Sequence, residues 1–277
     1  MRITAHTLRR FAAHLSAQEK SPATVEKYRR EAARFSGWLA GRAVSRALAA
    51  VYKTELAAVR SPAGVNGAVA GLNALFAFLG LEECRLRALR VQRRSFRDES
   101  RELSRREYGR LLAAARARPD RRLLLVLETI CATGIRVGEL RFFTAEALRA
   151  GRVEVSSKGR SRTVLLPRPL QRLLLQYARS RRIHTGPVFV TRGGRPLDRS
   201  NLWREMKSLC AAAGVAETKV FPHSLRHLFA RTYYALEKDL ARLADILGHA
   251  SVDTTRIYTM ESGQTHRRQL ERLRLVL

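Results

Sequence analysis

Residues 221–258 read FPHSLRHLFARTYYALEKDLARLADILGHASVDTTRIY. The spacing of apolar residues predicts helices from about 224 to 236, 239 to 247 and 252 to 258. Three chemical units sit on that frame: His223-x-x-Arg226, Leu247-Gly248-His249, and Tyr258, nine residues after His249. Such groups have the chemistry to bind a phosphate, move protons around it and attack it. Whether they do depends on an arginine and a lysine upstream.

Outward from this stretch the chain is mainly helical (α+β), with one small β hairpin. In the first half, residues 4–17 show helical spacing. Ser21-Pro22 reads as an N-cap followed by a first-turn proline, with Gly41 as a stop. A third helix is expected near residues 52–59, and a fourth from Ser61-Pro62 to Leu79. The small residues of the fourth, Gly64, Gly67, Ala68 and Gly71, suit close approach of a helix or of DNA. Residues 1–88 thus read as a helical bundle. Residues 89–103 are strongly charged and poor in apolar side chains, the pattern of a linker. Ser104-Arg-Arg-Glu107 is a capping box that opens a second domain, 104–277. There a nearly apolar helix spans 120–133. A hairpin is expected around Ser157-Lys158-Gly159-Arg160, with helices at 168–181 and 200–213 and a short strand at 188–190. A last amphipathic helix is expected over 264–277.

Charge narrows the function. The 277 residues carry a net charge of +29, with a pI of about 11.5. Residues 1–100 hold 18 basic and 8 acidic side chains, and the remainder 35 and 16. Both parts are basic, so a polyanion could be gripped from two sides. Coding bias towards arginine explains some of this, since 46 of the 53 basic residues are arginine. It does not explain the scarcity of acidic ones. No strongly amphipathic helix with an aromatic face argues for a membrane surface, and no apolar run reaches spanning length. Cys84, Cys131 and Cys210 are odd in number and far apart, as expected of reduced thiols in a cytoplasmic protein.

Each candidate residue also has an ordinary explanation. Arg136 follows a Thr-Gly turn and could pair only with Glu139, three residues on. Lys158 could be a solvated turn residue, although an ammonium, unlike a guanidinium, can act as a general acid. His223 and His227 are four apart, the spacing of a zinc helix. Position 224 is Ser, however, where that motif needs Glu, and no further ligand set is evident, so no metal is assigned. His249 could be a helix-end residue and Tyr258 half-buried core.

The order of the pieces is harder to explain separately. Arg136, Lys158, His223-x-x-Arg226, Leu247-Gly248-His249 and Tyr258 resemble, in order and approximate spacing, the motifs of the tyrosine recombinase (phage integrase) family. ATGIRVGEL (132–140), FPHSLRHLFA (221–230) and LGHASVDTTRIYT (247–259) resemble its boxes. The resemblance spans about 104–260, and residues 1–88 look like the family's SAM-like core-binding domain. It implies that Arg136 and Arg226 clamp the scissile phosphate and His249 donates to a non-bridging oxygen. Tyr258 would attack to leave a 3′-phosphotyrosyl link, Lys158 would protonate the leaving 5′-oxygen, and His223 would assist proton transfer. Glu139 and His227 would support the site. It further implies double-stranded DNA as partner, no cofactor, a tetramer on two DNA sites, and a nucleoid location, and leaves open an accessory DNA-bending protein. Leu270, Leu273 and Leu277 form an apolar stripe for docking, on a neighbouring protomer or on the chain's own domain. The competing readings are a tyrosine enzyme that relaxes supercoils or resolves DNA ends, and a DNA-binding regulator whose tyrosine is only core.

Overall fold

A computed structural model describes residues 1–90, 99–157, 160–191, 193–249, 251–260 and 263–275, with the backbone alone at 99, 157, 160, 263–265 and 269. Lys158, Leu277 and most of the expected linker 89–103 therefore lie outside the described residues. The chain forms two compact units, Met1–Arg93 and Arg94–Leu277.

The first unit is built from α1 (Ala5–Ala17), α2 (Pro22–Leu39), α3 (Arg46–Val59) and α4 (Pro62–Phe78). Each starts on a hydroxyl. Thr4, Ser21, Ser45 and Ser61 accept from the backbone N–H groups of Thr7, Thr24, Leu48 and Gly64, donors that the helix itself cannot satisfy. The Ser45 cap explains why α3 begins six residues before the expected 52. The left-handed turn that ends α2 starts at Ala40 (φ +48°), one residue before Gly41. Phe35, Leu39, Leu72 and Phe76 fill the core. Gly71 decides how close α4 comes to α2, because a Cβ there would sit 3.4 Å from Tyr28 Cα. At this position the small residue serves helix packing.

The second unit contains α5 (Arg105–Arg116), α6 (Arg122–Thr133), α7 (Ala145–Ala150), β1 (Arg152–Ser157), β2 (Arg160–Leu165), α8 (Arg168–Ser180), α9 (Arg199–Lys207), α10 (Cys210–Ala213), α11 (Pro222–Glu237), α12 (Leu240–Leu247), α13 (Val252–Thr255) and α14 (Gly263–Arg272). A 3₁₀ segment spans Val137–Phe142 and another Arg256–Tyr258. The capping box of Ser104 and Glu107 opens α5. Helix α6 is central. Leu123, Leu124, Val126, Leu127 and Ile130 are buried, and α5, α8 and α11 pack around it. Strands β1 and β2 pair antiparallel, Arg152 opposite Leu165 and Ser157 opposite Arg160.

Three local expectations change. The last helix, expected over 264–277, ends at Arg272. The helix over 200–213 is broken into α9 and α10. Residues 188–190 form no strand in a sheet, only isolated bridges, Thr144 with Pro187 and Val190 with Pro196. Prolines 187 and 196 lack the N–H that would extend a ladder on either side. No helix among the described residues is long and apolar enough to cross a membrane.

The end of α6 fixes the rest of this unit. Gly134 closes the helix at φ +64°. A Cβ there would lie 2.4 Å from Phe229 Cδ1 on α11 and 2.9 Å from Leu247 Cδ2 on α12. Three helices meet over a glycine that has room for nothing else. Gly134→Ala should therefore lose about 2–4 kcal/mol of stability, from left-handed strain plus overpacking. Urea denaturation would measure it, and an unchanged midpoint would remove the packing argument.

Candidate active site

Arg226 lies one turn into α11, whose start is set by Pro222 in the first turn and by the Ser224 hydroxyl bonded back to Phe221. It is 1% exposed. Its Nη1 donates to the Gly134 carbonyl at 2.5 Å, and Nη2 to the Leu247 carbonyl at 2.7 Å. Those carbonyls stand at the C-terminal ends of α6 and α12, where helix oxygens lack internal partners and carry partial negative charge. Nη2 also reaches His249 Nε2 at 3.0 Å. No carboxylate among the described residues forms a salt bridge with Arg226. Burial, and then the like charge of Arg136, pulls its pKa down to about 10. It stays cationic at neutral pH, with helix ends instead of an anion around it.

Arg136 enters from the turn after Gly134. Its Nη1 pairs with Glu139 Oε1 at 3.0 Å, and its backbone N–H donates to Oε2 at 2.8 Å. Glu139 is 3% exposed and is shared with Arg162, whose Nη1 and Nη2 donate to Oε1 at 3.0 Å and Oε2 at 2.8 Å. Burial works to raise the Glu139 pKa; the hydrogen bonds from Arg162 and Arg136 outweigh it and hold the carboxyl below its ordinary value. Arg162 Nε donates to the Ile246 carbonyl at 3.1 Å. Its side chain lies across Gly248 (φ +63°), where a Cβ would meet Arg162 Cδ at 2.9 Å. One arginine thus ties β2, the turn bearing Arg136 and the turn bearing His249.

Gly248 ends α12 and turns His249 towards Arg226. The other ring nitrogen, Nδ1, lies 2.7 Å from Thr255 Oγ1. An arginine can only donate, so Nε2 accepts from Arg226 and Nδ1 carries the proton. Burial, followed by the charges of Arg226, Arg136 and Arg162, lowers the His249 pKa to about 4. Tyr258, 7% exposed, stands at the end of the 3₁₀ segment, its ring centroid 6.4 Å from that of His249. The His227 ring meets it edge-on at 5.3 Å, and His223 lies beyond, 5.4 Å from His227. Burial raises the Tyr258 pKa, against the charge and hydrogen bond of Arg226. Burial also lowers His227, to about 4, and lowers His223.

Arg136, Glu139, Arg226, His227, His249 and Tyr258 come together here from four separate segments. His223 is one helical turn from Tyr258's neighbour His227 and is exposed, and Lys158 is outside the described residues. Two participants were missed in the sequence. Arg162 shares its strand face with buried Val164, and an arginine on a core-facing position of a hairpin signals a buried carboxylate. Thr255, fully buried three residues before Tyr258, left no comparable signal.

The chain is similar to known proteins. The family model described as Phage integrase family matches residues 101–264. Tyrosine recombinase XerA of Pyrococcus furiosus is 28% identical over 99% of this chain and 96% of its own. Tyrosine recombinase XerD of Xanthomonas campestris pv. campestris is 36% identical, but that match spans 50% of this chain and about half, 48%, of the relative. The crystal structure of a lambda integrase (75–356) dimer bound to a COC′ core site superposes with a TM-score of 0.75, covering 94% of this chain and 96% of that one. At 18% identity that likeness speaks for the fold alone.

Two outcomes follow from the geometry. Glu139→Gln leaves the Arg162 guanidinium buried without its counter-charge and should cost about 3–5 kcal/mol. Adding Arg162→Met should recover part of that loss, a non-additivity that urea denaturation of the single and double variants would reveal. Strictly additive losses would contradict the shared-carboxylate network. The second outcome concerns pH. His227 titrates near 6.5 when unfolded and about 4 when folded, so the unfolded chain takes up the proton first. Stability is then full above about 6.5 and falls as the pH drops towards about 4. Melting temperature against pH should show that slope, and His227→Gln should reduce it, the remainder coming chiefly from His249, whose pKa is also about 4; an equal slope in the variant would refute the assignment.

Proposed function

This chain belongs to the phage integrase family, and from that premise we propose that it is a tyrosine site-specific recombinase that cuts and rejoins DNA strands through Tyr258. The observation that carries the reading is Arg226, a buried guanidinium held by two helix ends, with no carboxylate salt bridge among the described residues and the Tyr258 ring beside it. A charge held in that way is suited to an anion brought from outside, and a guanidinium matches a phosphodiester's geometry.

Arg226 and Arg136 take the non-bridging oxygens of the scissile phosphate and stabilise the charge that builds on them during attack. The Tyr258 oxygen bonds to phosphorus as the bond to the 5′-oxygen breaks. The products are a 3′-phosphotyrosyl link and a 5′-hydroxyl. The phenol proton passes to a neighbouring base, and the leaving oxygen takes one from Lys158. A 5′-hydroxyl of the partner strand then attacks phosphorus and releases Tyr258. The phosphotyrosyl bond conserves the energy of the diester, so the reading assigns no cofactor or metal.

Both halves of the chain are basic, which supports duplex DNA contact by residues 1–88 as well as by 104–277. Acting on DNA, the protein works at the nucleoid, as a tetramer on two sites, in integration, excision or replicon resolution. Leu270 and Leu273 at the end of the chain are 55% and 58% exposed, which favours docking on a neighbouring protomer.

The test is a nicked suicide duplex carrying the inverted repeats that flank the coding gene. Wild type should give a denaturant-resistant adduct and Tyr258→Phe none, with binding of the duplex retained and weakened steeply by salt. An adduct in Tyr258→Phe would exclude this nucleophile, and no adduct in wild type would favour the DNA-binding regulator. On the same duplex, removal of residues 263–277 should abolish the tetramer; undiminished tetramers would exclude docking between protomers.

A further inference from the structure

The His249 ring is held at both nitrogens. Nε2 accepts from Arg226 and Nδ1–H donates to Thr255. In this form neither nitrogen can donate to a phosphate: one carries no proton and the other faces Thr255. Thr255 is fully buried while His249 is only half-buried, so solvent reaches the imidazole ring although the hydroxyl stays packed against it. A threonine hydroxyl, however, is both a donor and an acceptor and turns to suit its partner.

We propose that Thr255 is a positioning residue that lets His249 exchange its donor nitrogen when phosphate binds. In the observed arrangement the hydroxyl accepts from Nδ1–H. When a phosphate oxygen takes over the Arg226 Nη2 donor, Nε2 loses its partner and faces an acceptor. The Nδ1 proton leaves to water, Nε2 takes one from water, and Nε2–H donates to the phosphate. The Thr255 hydroxyl rotates about its C–O bond and donates to Nδ1. No net proton is gained, so His249 serves as a donor without first becoming an imidazolium in a site already crowded with Arg136, Arg162 and Arg226. That role for His249 rests on the proposed recombinase reading.

The position of Thr255 adds a second consequence. It belongs to α13, and Tyr258 follows in the 3₁₀ segment that continues that helix. The hydroxyl meets His249 only when the segment carrying the tyrosine is docked. His249 is therefore set as a phosphate donor when the nucleophile is in place and not before. A threonine and a tyrosine three residues apart, on a short stiff segment, link the two events without any long-range change.

Thr255→Val keeps the size of the side chain and removes both hydrogen-bonding roles, whereas Thr255→Ser keeps them. The first readout is ¹⁵N NMR of the His249 ring, with inorganic phosphate as the probe. Wild type and Thr255→Ser should move from the Nδ1–H to the Nε2–H form as phosphate is added, and Thr255→Val should not. The second readout is the rate of adduct formation on the nicked duplex. Thr255→Val should slow it about 10- to 100-fold, less than or comparable to outright loss of an oxyanion donor. Thr255→Ser should restore it, and in a His249→Ala background Thr255→Val should cost nothing further. Tautomer exchange in Thr255→Val, or an equal added loss without His249, would overturn the proposal and leave Thr255 a packing residue. A wild type that makes no adduct would defeat the recombinase reading, while the phosphate titration would still judge the exchange itself.

Discussion

A buried guanidinium that joins two helix ends governs the second unit. Arg226 cannot shed its proton to escape burial, so its surroundings must supply negative potential. They do so with the terminal carbonyls of α6 and α12 and with a histidine nitrogen. The same bonds fix where those helices stop. Gly134 and Gly248, both left-handed, are the residues that let each chain turn away at the point where its last carbonyls face Arg226. The turn after Gly134 delivers Arg136, and the turn at Gly248 delivers His249. Folding and site assembly are therefore one event, because the contacts that cap the helices also aim the groups.

Arg136 is treated differently, and the contrast is informative. It has a carboxylate, Glu139, which could neutralise it outright. Arg162 occupies both oxygens of that carboxylate from the other side. Glu139 is thereby held as a shared anchor, and part of the Arg136 guanidinium is left for other acceptors. A net excess of cations stays in the site, and the pKa values of Arg226 and His249 are lowered first by burial and then by this like charge. Such an excess is a poor arrangement for stability and a good one for meeting a phosphodiester.

How much of this the sequence disclosed follows from the range of each interaction. Caps are local: Ser21-Pro22 and Ser104 with Glu107 act within one turn, and both helices start where they stand. The order of Arg136, Arg226, His249 and Tyr258 was visible because the resemblance to a family preserves order, even though each residue alone had an ordinary explanation. Arg162 and Thr255 escaped because their partners lie elsewhere in space. Arg162 meets a carboxylate 23 residues away, and Thr255 matters only once α12 has turned at Gly248. The segment over 188–190 failed for the opposite reason. Its apolar run looked like a strand, yet the neighbouring prolines withhold the donors a ladder needs.

The position of Tyr258 raises a last physical question, which is how a buried phenol becomes a nucleophile. Burial holds its proton on, and the Arg226 charge draws it off. On the proposed reading, a bound phosphate engages Arg226 and weakens that pull when the nucleophile is needed. The proton must then leave as the bond to phosphorus forms, to a base already beside the ring. His227 meets the ring edge and His223 stands behind it; burial, with neighbouring positive charge after it, holds the His227 pKa at about 4 and keeps that ring unprotonated near neutral pH. An unprotonated imidazole can accept a proton where an imidazolium cannot, although a lowered pKa makes it a weaker base. Burial, reinforced by the cations that ready the site for phosphate, thus also keeps His227 free to receive the tyrosine's proton.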